Sequence, residues 1–213
     1  MDYGFGGIFL ALLHFWILRR FDYVTAMTQS MARQINKYSA RKAIVIGNFI
    51  DEAPLIPKLS HQRAEHPVFV FLGSLTKRKK VDVLLSAFKS ILNKHPQASL
   101  HLLGDGKERE ELEKYVKKLG IENNVIFYGY QTDPHIILAT ADIMVLPSLS
   151  EGMSRAVLES LFLGVPVVVR DVDGNSELIT NGVNGELFEK DEQLVEKMNE
   201  MLLISRQTSS RIS

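Results

Sequence analysis

A chain of 213 residues with 46% hydrophobic and 23% charged side chains can hold one full domain and part of a second, and its composition is that of an ordinary soluble globular protein. Its 25 basic and 25 acidic groups cancel to a net charge of zero, which removes the basic footprint that nucleic-acid binding requires. With no cysteine there are no disulfides or thiolate metal sites, a usage that suits a reducing cytoplasm.

The chain opens on "GFGGIFLALLHFWIL" (Gly4–Leu18), uncharged apart from His14 and followed by Arg19 and Arg20. This run is shorter than the ~20 apolar residues that span a bilayer as a helix. It follows Asp2 rather than a basic segment, and no small-residue cleavage site succeeds it. Two readings stand: a buried or interfacial helix, and a membrane anchor or signal-like segment. The second persists because an all-round apolar helix here has no obvious surface to pack on. Next, "DYVTAMT" (22–28) and "KAIVIGN" (42–48) read as short strands flanking a helix over 29–37. The stretch "DEAPLIPKLSHQRAEHP" carries three prolines and no periodicity, which is a linker composition.

From 67 onward the rhythm becomes regular. Strands are expected at 68–73, 99–104, 124–129, 142–147 and 165–169, with a short one near 186–187. Between them lie helices over 81–93, 107–119, 134–140, the segment through Glu159 and 175–180, with a last one over 191–204. The helix "REELEKYVKKLG" places Leu112, Val116 and Leu119 on one face and stops at Gly120. Apolar strands of about six residues alternating with amphipathic helices define an α/β fold, a doubly wound, Rossmann-like parallel sheet covered on both faces. The expected organisation is an N-terminal helix-and-strand remnant (1–50), a linker (51–66), the Rossmann-like domain (67–205) and a tail (206–213).

Ligands of such sheets bind beyond the carboxyl ends of the strands. Four of the five loops there contain small residues that let a ligand approach the backbone. The first, Gly73–Lys80, adds four consecutive basic residues, which suits a diphosphate at the opening of the next helix. A solvated helix start explains the same four residues. Gly104-Asp105-Gly106 is either part of a site or a turn. Gly129 and Tyr130 either admit and stack on a base or simply end a strand. No GxGxxG and no Walker motif is present, so nicotinamide and P-loop readings lack support.

The fourth loop, "SLSEGMSRAVLES", is the most informative. Glu151 precedes a helix, where the unpaired N–H groups of Gly152, Met153 and Ser154 attract an anion or an oxygen-rich ligand. Glu159, two turns later, can reach the same crevice and accept the hydroxyls of a ribose. The alternative is an N-cap carboxylate followed by an exposed helix glutamate.

On these residues the segment from Val68 to Phe188 resembles the donor-binding domain of the retaining GT-B glycosyltransferases, family 4. Glu151 and Glu159 match that family's E-x7-E motif, and "HLLGDGKEREELE" and "NVIFYGY" fall in the expected order. The resemblance implies a nucleotide diphospho-sugar donor, a glycan or lipid-linked acceptor, and no metal or other cofactor. It implies that Glu159 holds the ribose, and that Glu151 with the amides of Gly152 and Met153 holds the sugar. Lys79 and the loop from Gly73 would neutralise the diphosphate. The implied binding set is Gly73, Ser74, Lys79, Lys80, Gly104, Tyr130, Glu151, Gly152, Met153, Ser154, Leu158 and Glu159, with Lys79 and Glu151 in the catalytic roles. Ser74 replaces the family's arginine, Lys80 replaces a glycine, and Asp173 stands where a glycine is common. Arg78 or Lys80 is the available substitute for the missing charge, although an ammonium lacks the fork of a guanidinium. Residues 1–50 resemble only the end of an acceptor domain, which implies a donor half: a natural short protein, a truncated reading frame, or one part of a split enzyme whose partner carries the acceptor half. The expected location is cytoplasmic, with peripheral contact at the inner face of the membrane. A non-catalytic nucleotide-sugar-binding module and, more remotely, a nucleotide-sugar epimerase are the competing functions.

Overall fold

The computed structural model describes residues 5–39, 42–58, 64–172 and 174–209. They divide into two compact units, the first ending at Asn48 and the second beginning at Phe49.

The first unit comprises helix α1 (Phe5–Leu18), strand β1 (Thr25–Ala26), helix α2 (Gln29–Tyr38) and strand β2 (Ile44–Val45). The two strands pair in parallel, Thr25 opposite Ile44 and Ala26 opposite Val45. Both are shorter than the alternating pattern predicts, because hydrogen-bonded partners extend over only two residues of each. Thr28 starts α2 by accepting a bond from the Met31 amide at 3.1 Å, so the helix begins where a short hydroxyl side chain can cap it. Leu10, Trp16 and Ile17 of α1 are exposed, and the Arg20 guanidinium lies over the Trp16 ring. No helix among the described residues is long and apolar enough to cross a membrane.

The second unit is a six-stranded parallel sheet in the order β5-β4-β3-β6-β7-β8. Its strands are β3 (Val68–Leu72), β4 (Ser99–Leu103), β5 (Val125–Gly129), β6 (Ile143–Leu146), β7 (Val167–Arg170) and β8 (Gly185–Phe188). Helices α3 (Val81–Leu92), α4 (Arg109–Leu119), α5 (His135–Ala139), α6 (Arg155–Phe162) and α7 (Leu194–Ser209) connect and flank them. Phe69, Val70 and Phe71 of β3, all of β6 and Val167–Val169 of β7 are fully buried, as strands covered on both faces must be. The chain runs outward from β3 through β4 and β5, then returns to place β6 on the other side of β3. The order therefore reverses between β3 and β6. Ligands of open α/β sheets bind beyond the carboxyl ends of the strands at such a reversal.

Three expected boundaries move. Leu55, placed in a linker, is 1% exposed within the core of the second unit, and a 3-10 turn follows it at Ile56–Lys58. Part of the expected linker, 59–63, lies outside the described residues. Residues 206–209, placed in a tail, continue α7 because Arg206 is bonded into the fold. The expected helix at 175–180 is only a 3-10 turn over Asn175–Glu177, where the buried Asn175 donates to the Arg170 carbonyl at 3.1 Å.

Candidate functional site

The loops after β3 and β4 interlock. A Cβ on Gly104 (φ +132°) would lie 1.9 Å from the Gly73 carbonyl oxygen, so only glycine permits the contact. The Leu75 amide donates to the Asp105 carbonyl at 2.9 Å, and the Glu108 amide donates to the Leu75 carbonyl at 3.1 Å. Gly104 and its neighbours thus brace the first loop from behind. Beyond Thr76 the chain makes a 3-10 turn, Lys77–Lys79, and α3 begins at Val81. Lys80 joins the two with φ 52°, the left-handed value that normally selects glycine. The 3-10 turn before it, at about three residues per turn, points its side chains in different directions. Lys79 is 8% exposed, whereas Lys77 is on the surface.

Lys79 meets Glu151 beyond the carboxyl ends of β3 and β6. Its ammonium lies 2.5 Å from Glu151 Oε1, and each side chain is 10% exposed. Arg78 donates to the Ser150 carbonyl and lies 3.5 Å from the same Glu151 oxygen. The Leu149 amide in turn donates to the Arg78 carbonyl at 2.9 Å. The loops after β3 and β6 are therefore stitched together by main chain and by charge. Glu151 does not cap α6, whose N-cap is Ser154. Nor is Glu159 an exposed helix glutamate. It is 8% exposed, with Oε2 3.3 Å from His135 Nε2 and Oε1 3.4 Å from Arg155 Nη2. Both plain alternatives for the two glutamates fail on burial and partners.

The remaining candidates scatter more. Gly73, Gly152, Met153 and Leu158 are half-buried, and Ser154 is buried at the start of α6. Ser74 is exposed. The Lys80 ammonium faces Asp191 at 3.9 Å and Asp82 at 4.0 Å, so of the two substitutes for the missing charge only Arg78 stands at Glu151. Tyr130 is 78% exposed at the end of β5. Asp173 lies outside the described residues.

Sequence reading missed His135, Asp133 and Lys58. The ring of His135 lies between Glu159 and Asp133, with Nδ1 3.1 Å from Asp133 Oδ1, and the Lys58 ammonium donates to Asp133 Oδ2 at 2.7 Å. The polar run "QTDPH" just past β5 carries a signal for the histidine, since a side chain there stands at the carboxyl edge of the sheet. Lys58 carries none, because it pairs with a residue 75 positions away.

A parallel sheet whose strand order reverses between β3 and β6, with helices flanking it, is a doubly wound α/β fold, and here it is a Rossmann-like half of a GT-B fold. The chain belongs to the glycosyl transferases group 1 family, whose profile matches residues 55–213. It is 31% identical over 172 residues to the lipopolysaccharide core biosynthesis glycosyltransferase LpsE of Rhizobium meliloti, an alignment that covers 78% of this chain and 49% of that protein. Among solved structures it is similar to the apo form of the lipopolysaccharide outer core galactosyltransferase WaaB. That match has a TM-score of 0.72 and 26% identity, and covers 85% of this chain and 53% of the other. It shares the fold of Anabaena Alr3699/HepE in complex with UDP and glucose, with a TM-score of 0.75 and 23% identity over 95% of this chain and 61% of that one. The chain spans about half the length of curated relatives such as LpsE.

Proposed function

We propose that the second unit binds a nucleotide diphospho-sugar at the β3/β6 crevice and forms the donor half of a family 4 retaining glycosyltransferase. The sugar passes to a hydroxyl of a glycan or lipid-linked acceptor. The observation that carries this reading is the buried Lys79–Glu151 pair at the switch point, with Glu159 buried on the helix that follows. A surface ion pair contributes little to stability, and a pair nine-tenths buried costs desolvation, so function is the better reason for its position.

In this reading the donor exchanges partners with the pair. Lys79 turns from Glu151 to the phosphates, and Glu151 is left to accept from sugar hydroxyls. Cleavage of the bond between the anomeric carbon and the diphosphate oxygen builds negative charge on the leaving group. Lys79 and Arg78, with the amide dipoles opening α6, stabilise that charge, and electrostatic stabilisation of this kind is usually the largest catalytic contribution. These cations take the part a metal plays elsewhere, so binding should be unchanged by a chelator. Glu159 accepts from the ribose. The lipopolysaccharide-related names of LpsE and WaaB favour a cell-surface glycan or its lipid carrier as acceptor, handled at the inner face of the membrane.

A second reading is a donor-binding module that turns over only with a partner supplying the acceptor half. One experiment separates the two. Nucleotide sugars are titrated into the purified chain by calorimetry while free nucleotide is measured, with and without a membrane fraction. Binding with nucleotide release supports the transferase, and binding without release supports the module. No heat with UDP-, GDP- or ADP-sugars overturns both.

A further inference from the structure

Glu159 is held from one side only by a fixed group. Arg155, which approaches Oε1, has a side chain 65% exposed and sits one turn earlier on the same helix. Such a contact is weak and easily displaced. His135, which approaches Oε2, has a side chain 18% exposed and belongs to a different helix. A helix of five residues has little rigidity of its own, yet this ring is tied at its other nitrogen. Nδ1 lies 3.1 Å from Asp133 Oδ1, and the His135 amide donates to that same oxygen at 3.3 Å. Asp133 is anchored by the ammonium of Lys58 at 2.7 and 2.9 Å. That ammonium also donates to the Pro54 carbonyl at 2.9 Å, and the Lys58 side chain is 12% exposed. The result is an alternating file, Lys58, Asp133, His135, Glu159, that runs from the first turn of the unit to α6. Lys58 holds the Asp133 carboxyl below its ordinary range, with the bonds from His135 adding to this, so the link stays charged at neutral pH.

We infer that His135 is a positioning residue. Braced by Asp133 and Lys58, it fixes the plane of the Glu159 carboxylate so that Oε1 is presented to a ribose hydroxyl. The inference rests on the proposed reading of Glu159 as the ribose acceptor and adds the group that orients it. A carboxylate free to rotate would bind a hydroxyl at the cost of its own ordering, and pre-organisation removes that cost. The signature is therefore selectivity for ribose over deoxyribose, and not affinity for phosphate.

The test uses UDP, GDP and ADP with their 2′-deoxy and 3′-deoxy forms, titrated calorimetrically into the full chain, with a thermal melt of every variant. The wild type should prefer a ribonucleotide over a deoxy form by about tenfold or more, the value of one hydrogen bond to a charged group. His135→Ala should bring that preference to within about threefold while UDP-over-uridine discrimination is kept. His135→Gln, which places a side-chain amide N–H toward Glu159, should recover part of it. Asp133→Ala, at a side chain 45% exposed, should fold and give an intermediate loss, so it decides the matter if His135→Ala does not fold. A wild type that binds nucleotides with ribose preference, alongside His135→Ala and Asp133→Ala variants that keep it in full, overturns this inference and leaves the donor-site reading standing. A wild type that binds no nucleotide, or shows no ribose preference, removes the assignment of Glu159 and the inference with it.

Discussion

Lys79, Glu151 and Glu159 are three charged residues with low exposure, and on the proposed reading Glu159 and Lys79 have separable expected effects. Glu159→Ala leaves ribose hydroxyls without an acceptor and should weaken nucleotide binding by about 1–3 kcal/mol, read by calorimetry. Lys79→Ala acts on the phosphates, so it should weaken UDP far more than uridine. Equal losses for the two would remove Lys79 from the diphosphate. The glutamates could be read from the sequence because their spacing and the flanking loop and helix are local. Local pattern marks Lys79 only as one of four adjacent cations; the resemblance singles it out, and the turn that buries it supplies the physical reason. Burial also governs His101 on β4, whose ring packs 5.3 Å from Tyr128 and whose pKa is pushed down by desolvation. A histidine neutral in the fold contributes its full stability above the ordinary histidine pKa. That contribution is lost as pH falls through the ordinary value toward the lower folded one, where the unfolded chain takes the proton first. Urea unfolding between pH 7.5 and 5 should therefore show falling stability, with a shallower fall in His101→Phe. An unchanged slope would assign the pH dependence to other groups.

At the scale of elements, local rules located the repeating strands and helices from 68 onward well and located their ends poorly. Gly120 stops α4 as its position predicts, with φ 66°. By contrast, nothing local distinguishes the 3-10 turn at Asn175–Glu177 from a helix, since that turn is held by a bond to β7. The length of α7 likewise depends on a partner far away in sequence. The junction at Lys80 offers a direct test of local strain. A left-handed lysine costs about 1–2 kcal/mol, while a glycine brings an entropic cost of about 0.5–1 kcal/mol. The side chain's own ion pairs are long, 3.9 and 4.0 Å, and contribute little. Lys80→Gly should therefore raise Tm by about 1–4 °C in a thermal melt. Retained UDP affinity in that variant would also take the Lys80 ammonium out of the binding set. Gly104→Ala should do the reverse. Its Cβ would strike the Gly73 carbonyl at 1.9 Å, so the brace behind the Lys79 loop must open, and both Tm and UDP binding should fall.

At the scale of the second unit, a fully buried carboxylate ties the start of β6 to the end of the last helix. Asp142 is 0% exposed just before β6. It accepts from the Val68 amide at 2.8 Å and from Arg206 at 2.9 and 3.1 Å, while its carbonyl accepts from Ser205 at 3.0 Å. Arg206 also donates to the carbonyls of Glu65 and Ala64, so it closes α7 over the entry to β3. Arg206→Ala strands a buried carboxylate and should cost about 3–5 kcal/mol, measured by urea unfolding. A loss under 1 kcal/mol would place α7 outside the cooperative unit. This staple was invisible in the sequence, where 206 reads as the start of a polar tail. The doubly wound sheet itself was legible, because buried parallel strands write continuous apolar runs, and the switch point then follows from strand order. The central claim concerns that point, and a crystal soaked in turn with UDP-glucose, GDP-mannose and ADP-glucose tests it most directly. The account predicts density for one donor in the β3/β6 crevice, with the Lys79 ammonium moved from Glu151 to a phosphate oxygen and Glu151 on a sugar hydroxyl. An empty crevice with the Lys79–Glu151 pair still closed at 2.5 Å would contradict it.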